Sequence, residues 1–304
     1  MNSVLPTTIP AYLAQLRRSL EGADAAMIQD ALYDAEEYLR AELAAHPGKT
    51  EAEVIADVAG SYGAPDEVAD IYRDTEAKVE AALRPLPSKA AVAAAASPSL
   101  WRRVFGVFTD ARSYGALFYM LLSIASGIFL FTWTVVGMSL SAGLLILIIG
   151  LPFFVLFVGA SRVLALVEGR AVEALLGERM PRRPQHADAE LPLLKRIGGM
   201  FTDPRTWGTF LYFLLMLPLG TAYFTVAVTG LSLSLSLMLA PLLRLFSAHV
   251  EVVLFNDVDL LGSYPFLAPL VMLAGFLVLT LTMHLARAIG RWHGLLAKHL
   301  LVKV

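Results

Sequence analysis

An acid–arginine–aromatic motif occurs twice in the sequence, and its residue types could anchor helices at a membrane interface or form a clamp between them. One copy is Phe108–Gly115, Phe-Thr-Asp-Ala-Arg-Ser-Tyr-Gly, and the other is Phe201–Gly208, Phe-Thr-Asp-Pro-Arg-Thr-Trp-Gly. The copies lie 93 positions apart. The candidate functional residues of the motif are Asp110, Arg112, Tyr114, Asp203, Arg205 and Trp207.

The motif has two interpretations. In the structural one, the Thr or Asp caps the following helix, the Arg extends to lipid phosphates and the aromatic ring lies in the interfacial belt. In the functional one, Asp110 pairs with Arg205 and Asp203 with Arg112, as a clamp that moves when the helices shift. The sequence favours the first and leaves the second open.

A second candidate group follows Pro241, on the side of the membrane away from most of the bases. It consists of His249, Glu251, Asp257 and Asp259. A histidine near three acids could bind a cation or respond to pH. The alternative is an amphipathic helix on the outer leaflet with a solvated acidic edge. Residues 231–247 before it alternate Leu and Ser at first, and the sequence leaves them re-entrant, interfacial or part of a span.

Two further ionisable residues, Arg244 and His284, fall at or near the expected membrane depth. Ionisable groups inside a membrane are functional candidates by default. His284 lies one helical turn before Arg287, so it could equally extend its ring to the interface.

Four apolar segments are long enough to position these residues across a membrane. They cover roughly residues 115–136, 141–161, 208–229 and 266–286. The 93-residue offset continues through Tyr119/Tyr212 and Gly127/Gly220. A second match, Gly169-Arg170 with Gly290-Arg291, has an offset of 121, so we expect a duplicated helical hairpin with an insertion in its second copy.

The composition and the distribution of charge divide the chain. Of 304 residues, 57% are hydrophobic and 16% charged, and there is no cysteine, which excludes a disulfide scaffold, thiolate metal sites and cysteine catalysis. Residues 1–82 carry a net charge of −10 and residues 83–304 carry +8. We expect an acidic helical domain at 1–82, an Ala/Pro-rich linker at 83–99 and a four-span domain at 100–304, with repeats at about 101–180 and 194–304.

The bases that flank the spans predict the orientation. All of them except Arg244 fall on one side of the predicted spans. The positive-inside rule therefore places both termini in the cytoplasm, in a multi-pass protein of the bacterial inner membrane. It also places the acidic domain beside a basic rim.

The N-terminal segment has the apolar periodicity of a small helical bundle. Thr50 and Glu53 form a capping-box pattern, and Asp24 is a candidate N-cap. In the last helix, Val68, Ile71 and Tyr72 are expected to face the core. The fold class is therefore all-α, a cytoplasmic bundle joined to four spans that form two parallel hairpin repeats.

Two resemblances extend this interpretation. Tyr12-Leu13-x-x-Leu16, the acidic second helix and the segment Gly63–Ala69 resemble the HAAS (DUF1700-type) helical signalling domain. Residues 100–304 resemble the bacterial "putative sensor" membrane domain, an input region of certain histidine kinases, through Gly150-Leu-Pro152, Asp203–Trp207 and Ala240-Pro241. Together they imply a helical signalling module fused to a membrane sensor.

The expected function is that of a non-enzymatic membrane sensor or signalling adaptor that needs no cofactor or metal. Its partners would be the lipid bilayer and a cytoplasmic protein bound through the acidic domain, with no nucleic acid; a homodimer is compatible with the sequence. A signal would free the acidic domain from the basic rim, an electrostatic contact that salt weakens. The alternative is a small transporter or an accessory subunit of one.

Overall fold

The computed structural model describes residues 5–83, 100–144, 146, 150–181, 198–199, 202–246 and 260–302. Within these ranges the regular structure is entirely helical, as expected. Four of the helices are long and apolar enough to cross a membrane, which confirms the predicted number of spans and makes the chain a multi-pass membrane protein. Their bounds, however, differ from those that hydropathy gave.

The N-terminal domain, residues 5–83, contains four helices. They are α1 (Ile9–Ser19), α2 (Ala25–Ala45), α3 (Glu51–Ala59) and α4 (Pro65–Leu83). The buried side chains come from all four helices and include Tyr12, Leu16, Leu39, Val54, Val58 and Val68. Ile71, expected in this core, is instead 58% exposed, and Ala69 is buried in its place on the inner face of α4.

Local hydrogen bonds account for where these helices begin. Asp24 caps α2 by accepting from the N–H of Ala26, and Thr50 and Glu53 form the predicted capping box at α3. The hydroxyl of Tyr12 donates to the carbonyl of Gly63 at 2.8 Å and so ties α1 to the turn before α4.

The membrane domain contains the spanning helices α6 (Ala111–Leu144), α7 (Gly150–Leu176), α8 (Pro204–Phe246) and α10 (Ala268–Leu301). A short helix, α5 (Leu100–Phe105), precedes α6, and another, α9 (Leu260–Ser263), precedes α10. At about 1.5 Å per residue, α8 is about 65 Å long. Residues 231–246 therefore continue this helix, so among the alternatives left open for this segment the structure shows a continuation of the third span.

The helices α6 and α8 cross in close contact at small residues. A Cβ added at Gly127 would lie 2.5 Å from the carbonyl oxygen of Met216, and one added at Gly220 would overlap the carbonyl of Ser123. The hydroxyl of Ser123 also donates to the carbonyl of Gly220 at 3.3 Å. This close backbone approach, typical of small residues in membrane helices, lets side chains from α6 and α8 meet on either side of the crossing.

The two remaining spans pack against this pair in matching ways. Gly115 of α6 lies against the carbonyl of Leu175 in α7, and Gly208 of α8 lies against the carbonyl of Leu300 in α10. Equivalent residues in the first helices of the two hairpins, such as Gly115 and Gly208, are thus 93 positions apart, as expected. In the second helices, equivalent residues such as Leu175 and Leu300 are 125 positions apart, and not 121 as the sequence match suggested. Both hairpins bring the start of one span beside the end of the next, and we call this end of the bundle the basic end, because Arg112, Arg205, Arg287 and Lys298 lie there.

Candidate functional site

The candidate site is a buried polar cluster between the four spans. Its centre is the contact between Tyr119 of α6 and Tyr212 of α8, whose hydroxyl oxygens are 3.4 Å apart. Both side chains are at most 2% exposed. They occupy equivalent positions in the two hairpins, eight residues after the first residue of their helices.

Glu168 of α7 closes one side of the tyrosine pair. Its Oε1 accepts from the hydroxyl of Tyr119 at 2.7 Å and from that of Tyr212 at 3.2 Å. The residue is 7% exposed. A carboxylate in an apolar bundle needs such donors, because burying it unpaired would be very unfavourable.

His293 of α10 closes the other side. Its Nε2 lies 2.7 Å from the hydroxyl of Tyr119 and 3.0 Å from that of Tyr212, and the ring is completely buried. The hydroxyl of Tyr223, three turns further along α8, lies 3.4 Å from Nδ1. Each of the four spans therefore contributes at least one polar group to the cluster.

One arrangement of protons satisfies every contact to Glu168 and His293, and in it the two central hydroxyls do not hydrogen bond to each other, because each has a single proton. Both central tyrosines donate to an ionised Glu168, His293 donates from Nε2 to their oxygens, and Tyr223 donates to Nδ1. Because a shared carboxylate oxygen and a shared ring nitrogen hold both tyrosines, moving any one span breaks hydrogen bonds to two others. Such a buried network specifies one arrangement of its helices and responds strongly when a proton is added or removed.

Two ion pairs connect the hairpins around this cluster, and they differ from the predicted clamp. The structure pairs Asp110 with Arg287 at 3.1 Å and Asp203 with Arg162 at 3.4 Å. The alternative in which Asp110 pairs with Arg205 and Asp203 with Arg112 is therefore wrong. In both cases the aspartate pairs instead with an arginine from the middle of a second span, and these two arginines are 125 positions apart.

Both aspartates of the motif have the capping role expected of them. The Oδ1 atoms of Asp110 and Asp203 accept from the backbone N–H two residues later, at 3.1 Å in both cases, so each aspartate caps a span and pairs with an arginine at once. Tyr114 donates to the carbonyl of Phe108 at 2.9 Å. Trp207, half exposed, lies edge-on to Phe210.

The N-terminal domain contacts the basic end through two ion pairs of the predicted sign. Asp24 pairs with Lys298 at the end of α10, and Glu76 of α4 pairs with Arg179, just after α7. Ala25 packs against the apolar core at that end. Burial raises the pKa of Asp24, but hydrogen bonds from Lys298 and from the N–H of Ala26 lower it by more, so this pKa lies below its ordinary value.

The other predicted residues lie apart from the cluster. His284 donates from Nε2 to the carbonyl of Val104 at 2.9 Å, because a carbonyl oxygen only accepts, and this hydrogen bond fastens α5 to α10. Arg244 lies in the last turn of α8. The acidic group His249, Glu251, Asp257 and Asp259 falls outside the described residues. Within the described ranges, three or more His, Asp or Glu side chains nowhere gather as a metal site would require.

Sequence reasoning identified the two central tyrosines as equivalent positions but missed Glu168 and His293. Both lie beyond the hydropathy segments 141–161 and 266–286, in parts of α7 and α10 that continue as helix. The signal that could have found them was a comparison of the second spans at an offset of 125, which aligns Arg162 with Arg287 and Glu168 with His293.

Comparison with known proteins adds the family. No curated protein and no solved structure matched the chain. Residues 119–301 match the family described as "Putative sensor", and this range begins at the first central tyrosine and ends with α10. Since the match covers more than half of the chain, the protein belongs to this sensor family.

Proposed function

We propose that the chain is a non-enzymatic membrane sensor whose four-span bundle controls how its N-terminal domain is held, and through that domain a protein partner. One observation carries this proposal. The two helices that bring Glu168 and His293 to the central tyrosines are the same two whose ends hold the N-terminal domain.

The distances along these helices favour a mechanical link between the polar cluster and the N-terminal domain. Lys298 follows His293 by five residues of continuous helix, about 7.5 Å. Arg179 follows Glu168 after the end of α7 and a turn at Gly177, where φ is +76°. A shift of either helix that breaks the polar cluster would therefore also displace a base that binds the N-terminal domain.

The contact between the domains has a strength that a signal could overcome. Both ion pairs are partly exposed, with side chains 23–40% accessible. Pairs of this kind typically contribute up to about 1 kcal/mol each and weaken with salt. Two of them hold the domain in place without making its release prohibitive.

The lack of cysteine allows a direct test in the full-length chain. Dyes on cysteines introduced at the exposed positions Glu37 and His299 would report the distance between the N-terminal domain and α10 in nanodiscs. We expect Asp24→Asn combined with Glu76→Gln to lengthen or broaden that distance, and His293→Gln to change it in the same direction. Lys49→Gln, which removes an ion pair within the N-terminal domain, is the control and should leave it unchanged.

The outcome separates the two parts of the proposal. If His293→Gln and Glu168→Gln leave the distance as in the wild type while both proteins remain folded, the cluster does not control the domain. If the double variant at Asp24 and Glu76 also leaves it unchanged, the ion pairs do not hold the domain at all.

The proposal also includes the duplicated hairpin, the HAAS-like N-terminal domain and the orientation of the chain in the membrane. The paired contacts at offsets of 93 and 125 support a duplicated hairpin, and the Tyr12–Gly63 hydrogen bond joins two segments that resemble the HAAS domain. The distribution of bases supports an inner-membrane protein with cytoplasmic termini. Crosslinking through the N-terminal domain in bacterial cells would identify a partner, or a second copy of the chain.

The buried acid and imidazole also favour a second candidate function, transport of protons or small ions. Ionisable side chains between membrane helices commonly mark ion pathways. Flux into liposomes that contain the purified chain distinguishes the two: flux that Glu168→Gln abolishes would replace the sensor proposal, and an absence of flux would leave it in place.

A further inference from the structure

A cleft at the basic end combines positive charge with a buried hydroxyl that has no partner. It lies between α7 and the start of α8 and has a volume of about 60 Å³. Its polar lining consists of Ser161, Arg162, Asp203, Arg205, Thr206 and Thr209. Since a buried water needs about 10–15 Å³ by the same measure, the cleft has room for a group of several heavy atoms.

The hydroxyl of Thr206 is the first observation that points to a ligand. Thr206 is 5% exposed, and its Oγ1 is buried without a hydrogen-bond partner among the described residues. Leaving a buried hydroxyl unsatisfied typically costs about 1–3 kcal/mol. Most threonines of the spans avoid this cost by bonding to a carbonyl of the preceding turn, as Thr280 and Thr282 do.

The guanidinium of Arg205 is the second observation that points to a ligand. It lies in the same cleft and is attracted by Asp203, but the described part of the chain forms neither a direct ion pair nor a side-chain hydrogen bond to it. The nearby acid is already engaged, because Asp203 caps α8 with Oδ1 and pairs with Arg162 through Oδ2. Arg162 uses one Nη in that pair and keeps further N–H donors.

The equivalent cleft in the other hairpin shows what is particular to this one. That cleft is lined by Arg112, Arg287 and Arg291 and by Glu178, so each cleft contains one carboxylate beside its arginines. The counterpart of Thr206 is Ser113, likewise buried and without a partner, but it does not line the cleft. Of these two clefts, the one at Arg205 is therefore lined both by a guanidinium that forms no direct ion pair and by a threonine whose hydroxyl is unsatisfied.

We propose that the cleft at Arg162, Arg205 and Thr206 binds a phosphate group, carried by a phospholipid of the adjoining leaflet or by a soluble phosphate. A phosphate offers three acceptor oxygens, which match two guanidinium groups and a hydroxyl. The cleft lies where α8 begins, at the end of the spans where lipid phosphates lie. This site goes beyond the sensor function and does not depend on it.

The test uses the full chain in a phosphate-free maltoside detergent, with dioctanoyl phosphatidic acid, inorganic phosphate and dioctanoylglycerol as probes in titration calorimetry. We expect saturable binding of phosphatidic acid and none of dioctanoylglycerol. Arg205→Gln should weaken this binding about tenfold or more, the effect of one charge-assisted hydrogen bond. Thr206→Val should weaken it severalfold without lowering the Tm, because the hydroxyl bonds to nothing in the protein.

Arg112→Gln is the matched control, since it removes the equivalent arginine from the other cleft and should leave binding unchanged. Binding of inorganic phosphate as well as phosphatidic acid supports a site for phosphate itself, and binding of phosphatidic acid alone supports a lipid site. Failure of both probes to bind would overturn the proposal. So would equal weakening by Arg112→Gln and Arg205→Gln, or binding by Thr206→Val and Arg205→Gln as tight as in the wild type.

Discussion

The two halves of the membrane domain, α6–α7 and α8–α10, make the same contacts around the buried polar cluster but contribute different side chains to one position of it. Each half supplies a central tyrosine, an aspartate that caps a span and an arginine that pairs across to the other half. At one pair of equivalent positions the halves diverge, because Glu168 stands in the first and His293 in the second.

This difference is what allows a polar centre to exist in the bundle. Two tyrosine hydroxyls placed face to face need an acceptor for their protons and a donor for their lone pairs. Glu168 is the acceptor and His293 the donor, so neither side chain could be replaced by a copy of the other. The matching contacts fix how the spans pack, and the single unmatched pair, Glu168 and His293, supplies groups whose protonation can change.

Making the two halves alike at this position should have the largest effect. In His293→Glu, two carboxylates would contact the same hydroxyls, and one of them would lack a donor. Leaving a buried hydrogen-bonding group without its partner typically costs about 1–3 kcal/mol, and more when the group is charged. We expect a loss of stability of that order, measured by thermal or chemical unfolding of the purified chain in nanodiscs.

The exchanged double variant, Glu168→His with His293→Glu, is the control for this prediction. It restores one acceptor and one donor, with their positions reversed, and should recover a large part of the lost stability. A double variant less stable than His293→Glu alone would show that the complementary chemistry of the pair is not what stabilises the centre.

The close crossing of α6 and α8 should be the next most sensitive feature, and equally so in both halves. Gly127→Ala and Gly220→Ala each place a methyl group against a backbone carbonyl of the facing helix. Overpacking of this kind costs about 1–3 kcal/mol. Gly159→Ala, on α7 with no neighbouring atom within 4 Å of the added carbon, should be neutral or slightly stabilising in the same unfolding measurement. A large difference between Gly127→Ala and Gly220→Ala would mean that the halves do not share this contact equally.

The sequence predicted the helix caps and the spans better than the buried polar cluster, for a physical reason. Caps such as Thr50–Glu53 and apolar spans depend on local spacing, and they were predicted correctly. The tyrosine pair was visible as two equivalent positions. Which groups face it depends on where α7 and α10 cross the bundle, and hydropathy could not show that, because both helices continue as helix well beyond their apolar segments.

The same dependence on helix packing explains why the sequence did not predict the ion pairs. A motif match suggested that acids and arginines of the same motif would pair across the halves, but the span-starting helices carry Arg112 and Arg205 at positions that do not reach the aspartates. The arginines that do, Arg162 and Arg287, lie 41 or more residues away in sequence from any aspartate of the motif and are brought there by the packing of α7 and α10. Ile71 is a smaller case: its spacing fits the core of the N-terminal domain, yet α4 leaves it exposed.

The paired aspartates offer a finer test of how alike the halves are. Asp110→Asn and Asp203→Asn keep an oxygen for the helix cap and remove only the charge. Because both pairs are partly exposed, each change should cost no more than about 1 kcal/mol, and less at high salt. The two losses should be equal within the error of the unfolding measurement, and a loss in only one half would confine the contact to that half.

The smallest expected effect concerns the ends of the two halves, where Lys298 holds Asp24. The pKa of Asp24 is below its ordinary value in the docked domain, so the ionised carboxylate favours docking. That contribution is fully present above the ordinary pKa of about 3.9 and disappears as the pH falls through the lower, docked pKa. In the dye-distance measurement, the difference between wild type and Asp24→Asn should therefore be constant from pH 7 to 5 and should shrink progressively as the pH falls below about 4. Comparing the two proteins removes other effects of acid, since Asn still caps α2. A difference that persists unchanged at pH 3 would show that the charge of Asp24 is not what binds the N-terminal domain to α10.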